Sequence, residues 1–228
     1  GKDNSLQIVK HEIYQAGSKH GVFLDAGYFI LQGDGWLKRY FIKDIAARSD
    51  SVNFPGCNNI AVTTTGKIVI ASGDRIRMFN SWDQLNKPVT AVDVKGEITC
   101  MCADNEGKYL AVGSQNGIVS LVDIASGSLL CRNNVQRSAI NDLKFGALPG
   151  NQLQLASASS DKTIKLFDVQ GDRLDNVNTV TIQDHTKWVY SLAYSSGSRY
   201  LISGGEDDQV IATPSTMIGL YKSLEKNK

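Results

Sequence analysis

Apolar positions along this chain fall into short runs broken by Gly, Asp, Asn and Ser, and the runs favour β-branched and aromatic residues. The stretch "LASASSDKTIKLFDV" (155–169) shows the pattern at its clearest. A run of small residues, Ala156 to Ser160, leads into an acidic turn at Asp161-Lys162. An apolar strand carrying Ile164, Leu166 and Phe167 follows. Two strands joined by a tight turn are the expected reading.

The same design recurs. Related stretches are "YFILQGDGWLKRYFI" (28–42), "IVIASGDRIRMFNS" (68–81), "YLAVGSQNGIVSLVDI" (109–124) and "YLISGGEDDQVIATP" (200–214). Their turn residues are Asp34, Asp74, Asn116, Asp161 and Asp207, spaced by 40, 42, 45 and 46 residues. A further apolar segment precedes the later copies, at 97–110, 139–155 and 188–201. Each unit therefore reads as strand, Gly-containing turn, strand, tight acidic turn, strand. A repeat of ~45 residues with about four strands predicts one blade of a β-propeller per unit. Pro55, Pro88, Pro149 and Pro214 fall at or between strand ends, where a missing N–H does little harm.

With these residues in view, the chain resembles the WD-repeat propellers, strongly over 97–214 and in degenerate form before that. The resemblance implies an all-β propeller of four-stranded antiparallel blades. Units are expected at roughly 6–45, 52–85, 88–127, 129–172 and 178–214, making residues 1–214 one domain. Five units fall short of the usual ring of seven, which needs about 300 residues at this period. The expectation is a part of a larger propeller, or added strands from residues 1–20 and a further segment. Residues 215–228 place Met217, Leu220, Tyr221 and Leu224 on one helical face and read as a short exit helix. A degenerate last blade running into a helix resembles repeat arrays of large bacterial multidomain proteins.

In the family pattern, a His before the first strand, a Ser/Thr before the turn Asp and a Trp after it brace each blade. Carried over, these positions are Ser157, Asp161 and Phe167 in one unit and His185, Ser203, Asp207 and Thr213 in the next. The middle unit reads Val112, Asn116 and Val122. No unit has the Trp, so the blades are expected to hold mainly by apolar packing between sheets. The resemblance also implies a top face around the central channel, where family members bind peptides and proteins. Trp188, Tyr190, Asn141, Glu97 and Thr99 project there, joined by Gln115, Ser160 and Glu206 just before the turns.

Composition adds little against this reading. The 228 residues are 42% hydrophobic and 21% charged with a formal net charge of +1, which gives no field for recruiting nucleic acid. No apolar run is long enough to span a bilayer, and the opening "GKDNS" has no signal-peptide character. Cys100 and Cys102 form a C-x-C pair unlike zinc spacing, and Cys57 and Cys131 stand apart. Small apolar strand residues are the expected role, and such usage favours a reducing compartment. Phosphate-loop, nucleophile-elbow and H-E-x-x-H motifs are absent. The Glu206-Asp207-Asp208 cluster reads as a blade rim, and Asp184-His185 lacks a neighbouring nucleophile motif.

No catalysis, cofactor or metal is therefore expected. The favoured function is a scaffold that binds a protein or peptide, or other domains of a larger chain, on the top face. The alternatives are a propeller that binds or processes a small ligand or glycan in its channel, and a structural spacer in a secretion, signalling or envelope assembly.

Overall fold

The computed structural model describes residues 18–24, 27–42, 49–148 and 152–214. The expected exit helix over 215–228, and any strand from residues 1–17, lie outside these. Within them the chain folds into five antiparallel sheets, each a meander in sequence order. Blade one holds β1 (Ser18–Phe23), β2 (Tyr28–Gly33), β3 (Trp36–Phe41) and β4 (Ser49–Asn53). Blade two holds β5 (Asn59–Val62), β6 (Ile68–Ser72), β7 (Arg75–Phe79) and β8 (Thr90–Asp93). Blade three holds β9 (Ile98–Ala103), β10 (Tyr109–Ser114), β11 (Ile118–Asp123) and β12 (Leu129–Asn134). Blade four holds β13 (Ile140–Leu148), β14 (Gln152–Ser159), β15 (Ile164–Gln170) and β16 (Arg173–Ile182). Blade five is three-stranded among the described residues: β17 (Val189–Tyr194), β18 (Tyr200–Gly205) and β19 (Val210–Pro214). The only helices among the described residues are short 3₁₀ turns at Trp82–Gln84 and Ser196–Ser198.

Asp34, Asp74, Asn116, Asp161 and Asp207 all sit in the turn between a blade's second and third strands. The residue after the Asp or Asn takes positive φ in four of them: Gly35, Gly117, Lys162 and Asp208. Blade two reverses the order, with Gly73 left-handed ahead of Asp74. The recurring polar residue thus marks a backbone requirement of a tight hairpin.

The core lies between blades. One apolar cluster joins blades one and two through Ile30, Leu37, Ile60, Ile68, Ile70 and Phe79. A second joins blades two and three (Val69, Ala71, Ile76, Leu110, Val112, Val122), and a third joins three and four (Ala111, Leu121, Leu143, Leu155, Phe167). The fourth joins blades four and five through Ala156, Ala158, Leu166, Val189, Leu192 and Leu201. Successive residues of β6 and of β10 therefore serve opposite junctions, which is why both strands read as continuous apolar runs. The first strands β1, β5, β9, β13 and β17 lie side by side from blade to blade.

Polar contacts reinforce each junction. β9, β13 and β17 each carry a register shift, at Ile98/Cys100, Ile140/Asp142 and Val189/Ser191. The carbonyl just ahead of the shift accepts a hydrogen bond from the preceding blade. Thr99 Oγ1 donates to Ile140 O, Asn141 Nδ2 to Val189 O at 2.8 Å, and Asn58 Nδ2 to Ile98 O at 3.2 Å. Gln32 Nε2 likewise donates to Cys57 O at 3.2 Å. A bulge frees a carbonyl from its ladder, and the neighbouring blade takes it up.

Candidate functional site: blade braces and the turn-bearing face

Blade five carries a hydrogen-bonded brace. His185, on the connection entering β17, has Nδ1 at 2.9 and 3.0 Å from the Asp207 oxygens and Nε2 at 2.9 Å from Ser203 Oγ. The Thr186 and Gln209 backbone N–H groups also donate to the Asp207 carboxylate, at 2.8 and 3.3 Å. The side chains of His185 and Asp207 are 1% and 5% exposed. Burial pushes the Asp207 pKa up, but the His185, Thr186 and Gln209 hydrogen bonds outweigh it and bring the value down to about 2. Every polar atom of this trio has a partner, so the network is stable though nearly dry.

Blade four holds a different version. Arg137 N–H and Thr163 N–H donate to Asp161 at 2.9 and 3.0 Å, and the Thr163 hydroxyl donates at 2.6 Å. Ser157 Oγ donates to Gln136 Oε1 at 2.7 Å, and Gln136 Nε2 reaches Thr163 O at 2.9 Å. Gln136 thus takes the place of His185, with Thr163 linking it to Asp161. Phe167 is buried in the junction with blade three and acts through packing alone. In blade three the corresponding residues are Val94 and Val112, both in the apolar cluster shared with blade two. Ser114 Oγ donates there to Asn116 Oδ1 at 2.6 Å. Neither Gln136 nor Val94 stands out as a motif. Counting back three residues from Ala139 and Glu97, as His185 stands from Trp188, would have found them.

The residues expected on a top face lie on or just ahead of first strands (Glu97, Thr99, Asn141, Trp188, Tyr190) and in the β10–β11, β14–β15 and β18–β19 turns (Gln115, Ser160, Glu206). Glu97, Gln115 and Glu206 are exposed, and Ser160 is half-buried. Thr99 and Asn141 use their polar atoms on the next blade, and Asn141 also donates to Ser160 Oγ at 3.0 Å. Trp188 and Tyr190 are each 48% exposed and meet edge to face, with centroids 6.3 Å apart at 89°. Val189 between them is fully buried, so the pair stands on a fixed base. Glu206 N–H donates to Trp188 O at 2.8 Å, tying the acidic turn to the aromatic rim. On the outward face of blade five Tyr200 and Val210 are also exposed, Val210 at 79%. Val210 occupies the register that Ile164 fills in blade four, where blade five covers it.

The four cysteines are free thiols, and burial raises their pKa values, to about 11 for Cys57 and about 12 for Cys100. They remain protonated at neutral pH. Trp82 is buried, with its indole N–H donating to Asp50 Oδ2 at 3.0 Å.

Five meandering sheets with a shared turn position and a His–Ser–Asp brace agree with profile comparisons. The profile described as "WD domain, G-beta repeat" matches residues 130–168 and 176–211, and "Anaphase-promoting complex subunit 4 WD40 domain" matches 60–148. The chain belongs to the WD-repeat family. Human WD repeat and SOCS box-containing protein 1 is 37% identical over 101 residues, 44% of this chain and 23% of the human protein. The mouse Intraflagellar transport protein 122 homolog is 27% identical over 192 residues, 63% of this chain and 16% of that protein. Protein FIZZY-RELATED 1 of Arabidopsis thaliana is 29% identical over 132 residues, 57% of this chain and 26% of its own length. The match therefore spans about a quarter or less of each relative. Among the described residues, no helix is long and apolar enough to cross a membrane. WD repeats suggest a protein-interaction scaffold.

Proposed function

We propose that this WD-repeat chain binds a protein or peptide partner, without catalysis, through the turn-bearing end of its blades, with Trp188 and Tyr190 as anchors. The observation that supports the reading most is the aromatic pair itself. Two large rings are half-exposed where the chain enters β17, either side of the buried Val189 and beside Glu206 and Lys187. Exposed aromatics within a polar rim are the composition of an interface hot spot, and a preformed surface lowers the entropy cost of association. Glu97, Gln115 and Ser160 extend the rim onto blades three and four.

Trp188→Ala/Tyr190→Ala tests the reading, with melting and quantitative co-purification of partners from source extract measured in parallel. Folding is expected to stay within about 1 kcal/mol of the parent, while partner recovery falls by tenfold or more, since such anchors carry ~2 kcal/mol each. A folded variant that retains its partners at full strength would move the interface elsewhere.

A further inference from the structure

The hairpins that join first strands to second strands lie at the end of the blades away from the acidic turns. In blades two, three and five one side chain caps this hairpin. Thr63 Oγ1 accepts from Lys67 N–H at 3.0 Å in blade two, and Ser195 Oγ accepts from Tyr200 N–H at 3.0 Å in blade five. Blade three uses Asp104, whose Oδ1 accepts from the Lys108 and Tyr109 N–H groups at 2.8 and 2.7 Å. The backbone frame is shared, since the N–H of Thr63, Asp104 and Ser195 donates to the carbonyl of Lys67, Tyr109 and Tyr200 respectively. A neutral hydroxyl is therefore enough for the cap, and the second oxygen of Asp104 is surplus to it. Asp104 is only 2% exposed. Among the described residues, its Oδ2 has neither a hydrogen-bond donor nor a paired cation.

Asp104 lines a recess of about 310 Å³ between blades three and four. Tyr109 of blade three and Phe145, Leu153 and Val169 of blade four give it an apolar wall continuous with the core of that junction. Glu106 and Lys108 are the other charged residues of the lining, and both are exposed. The Lys108 ammonium lies over the Tyr109 ring, 4.8 Å from its centroid, and forms no ion pair with Asp104. Two acids thus face one base. A buried carboxylate oxygen without a donor is unfavourable, and a cation carried on an apolar stem would satisfy it while covering the wall.

We propose that this recess receives an arginine side chain of a partner protein. It lies at the opposite end of the blades from Trp188 and Tyr190, and the inference does not require that pair. Ligand sites run from about 300 to 1,000 Å³, so a recess at the small end suits one side chain rather than a folded surface. A guanidinium is weakly hydrated, donates in a planar fork and stacks on aromatic rings, which matches one free carboxylate oxygen beside Tyr109 and Phe145. A lysine ammonium fits less well, because it would shed a tighter hydration shell for the same single oxygen. A metal ion also fits less well, since no group of three His, Cys, Asp or Glu side chains that could hold one occurs among the described residues.

The test is an amide-shift titration of the full chain, at constant ionic strength, with acetyl-Gly-Arg-Gly-amide and its lysine and citrulline counterparts. Citrulline keeps the shape of arginine and removes its charge. Saturable shifts at Glu106, Phe145, Leu153 and Val169 are expected with the arginine peptide, weaker ones with lysine and none with citrulline. Asp104→Asn keeps an oxygen for the cap and removes the charge, and is expected to weaken the arginine response by about tenfold or more, as loss of a charged hydrogen bond does. Trp188→Ala/Tyr190→Ala is expected to leave the response unchanged, so failure here and failure of the aromatic-anchor reading are told apart. Four results overturn the proposal: no saturable shift at those amides, citrulline binding as well as arginine, lysine binding more tightly than arginine, or an undiminished response in folded Asp104→Asn. The citrulline comparison decides the matter on the parent chain should that variant fail to fold.

Discussion

Blades five and three solve one packing problem with opposite chemistry. The same two register positions hold His185 and Ser203 in blade five and Val94 and Val112 in blade three. In blade five the pair is locked by hydrogen bonds and capped by the Asp207 carboxylate. Blade three uses apolar contact, and its turn residue Asn116 is satisfied by Ser114. Either arrangement holds because it is internally complete: one network has every polar atom partnered, the other has no polar atom to partner. A mixture would be the costly state, since an orphaned buried group forfeits its hydration without compensation. Blade four lies between the two, with Gln136 and Thr163 making a longer relay to Asp161.

The comparison breaks most severely if one position of blade three takes the serine that blades four and five carry there. Val112→Ser removes two methyl groups from a dry cluster and leaves a hydroxyl opposite Val94, at an expected cost of ~3 kcal/mol. Chemical denaturation gives the value, and a loss below about 1 kcal/mol would show that blade three admits a polar brace. His185→Val in blade five strands the Ser203 hydroxyl and removes one partner of Asp207, for an expected ~2 kcal/mol. Adding Ser203→Val to that variant rebuilds the apolar pair. The double variant is expected to be less damaged than the sum of the singles by about 1 kcal/mol, and strict additivity would mean that the two side chains do not act together.

The smallest expected effect is acid sensitivity. The Asp207 pKa is about 2 in the folded chain against an ordinary 3.8, so its charged form is the one that folding favours. Its contribution is complete above pH 3.8 and is lost as pH falls from there through about 2. Amide shifts of Thr186 and Gln209, which donate to the carboxylate, are expected to follow that window. Those of Gly117 and Ile118, beside the non-titrating Asn116, are expected to stay flat. A midpoint near 4 at Thr186 would mean that the brace does not hold the charged carboxylate.

Much of the architecture was legible in the amino-acid order because it depends on local rules. The spacing of Asp34, Asp74, Asn116, Asp161 and Asp207 marked the turn between second and third strands, since each hairpin needs the left-handed residue that Gly35, Gly73, Gly117, Lys162 or Asp208 supplies. Strand identity followed from β-branched and aromatic runs. The blade-five brace was legible too, because His185, Ser203 and Asp207 are all of the family's residue types.

Other features depended on which segments meet in space. Gln136 and Val94 lie on connections between sheets, where only their spacing from the following strand, and not their residue type, marks them as partners of Ser157 and Val112. Thr99 and Asn141 share a sequence register with Tyr190. The first two reach across to the next blade while Tyr190 stands exposed against Trp188. Local order determined the period, the strands and the turns, because each rests on the conformational preferences of a few consecutive residues. Only the packing of one sheet on the next decided which polar groups are satisfied and which carbonyls are shared between blades. Those outcomes rest on distances between residues remote in the chain, and no local preference encodes them.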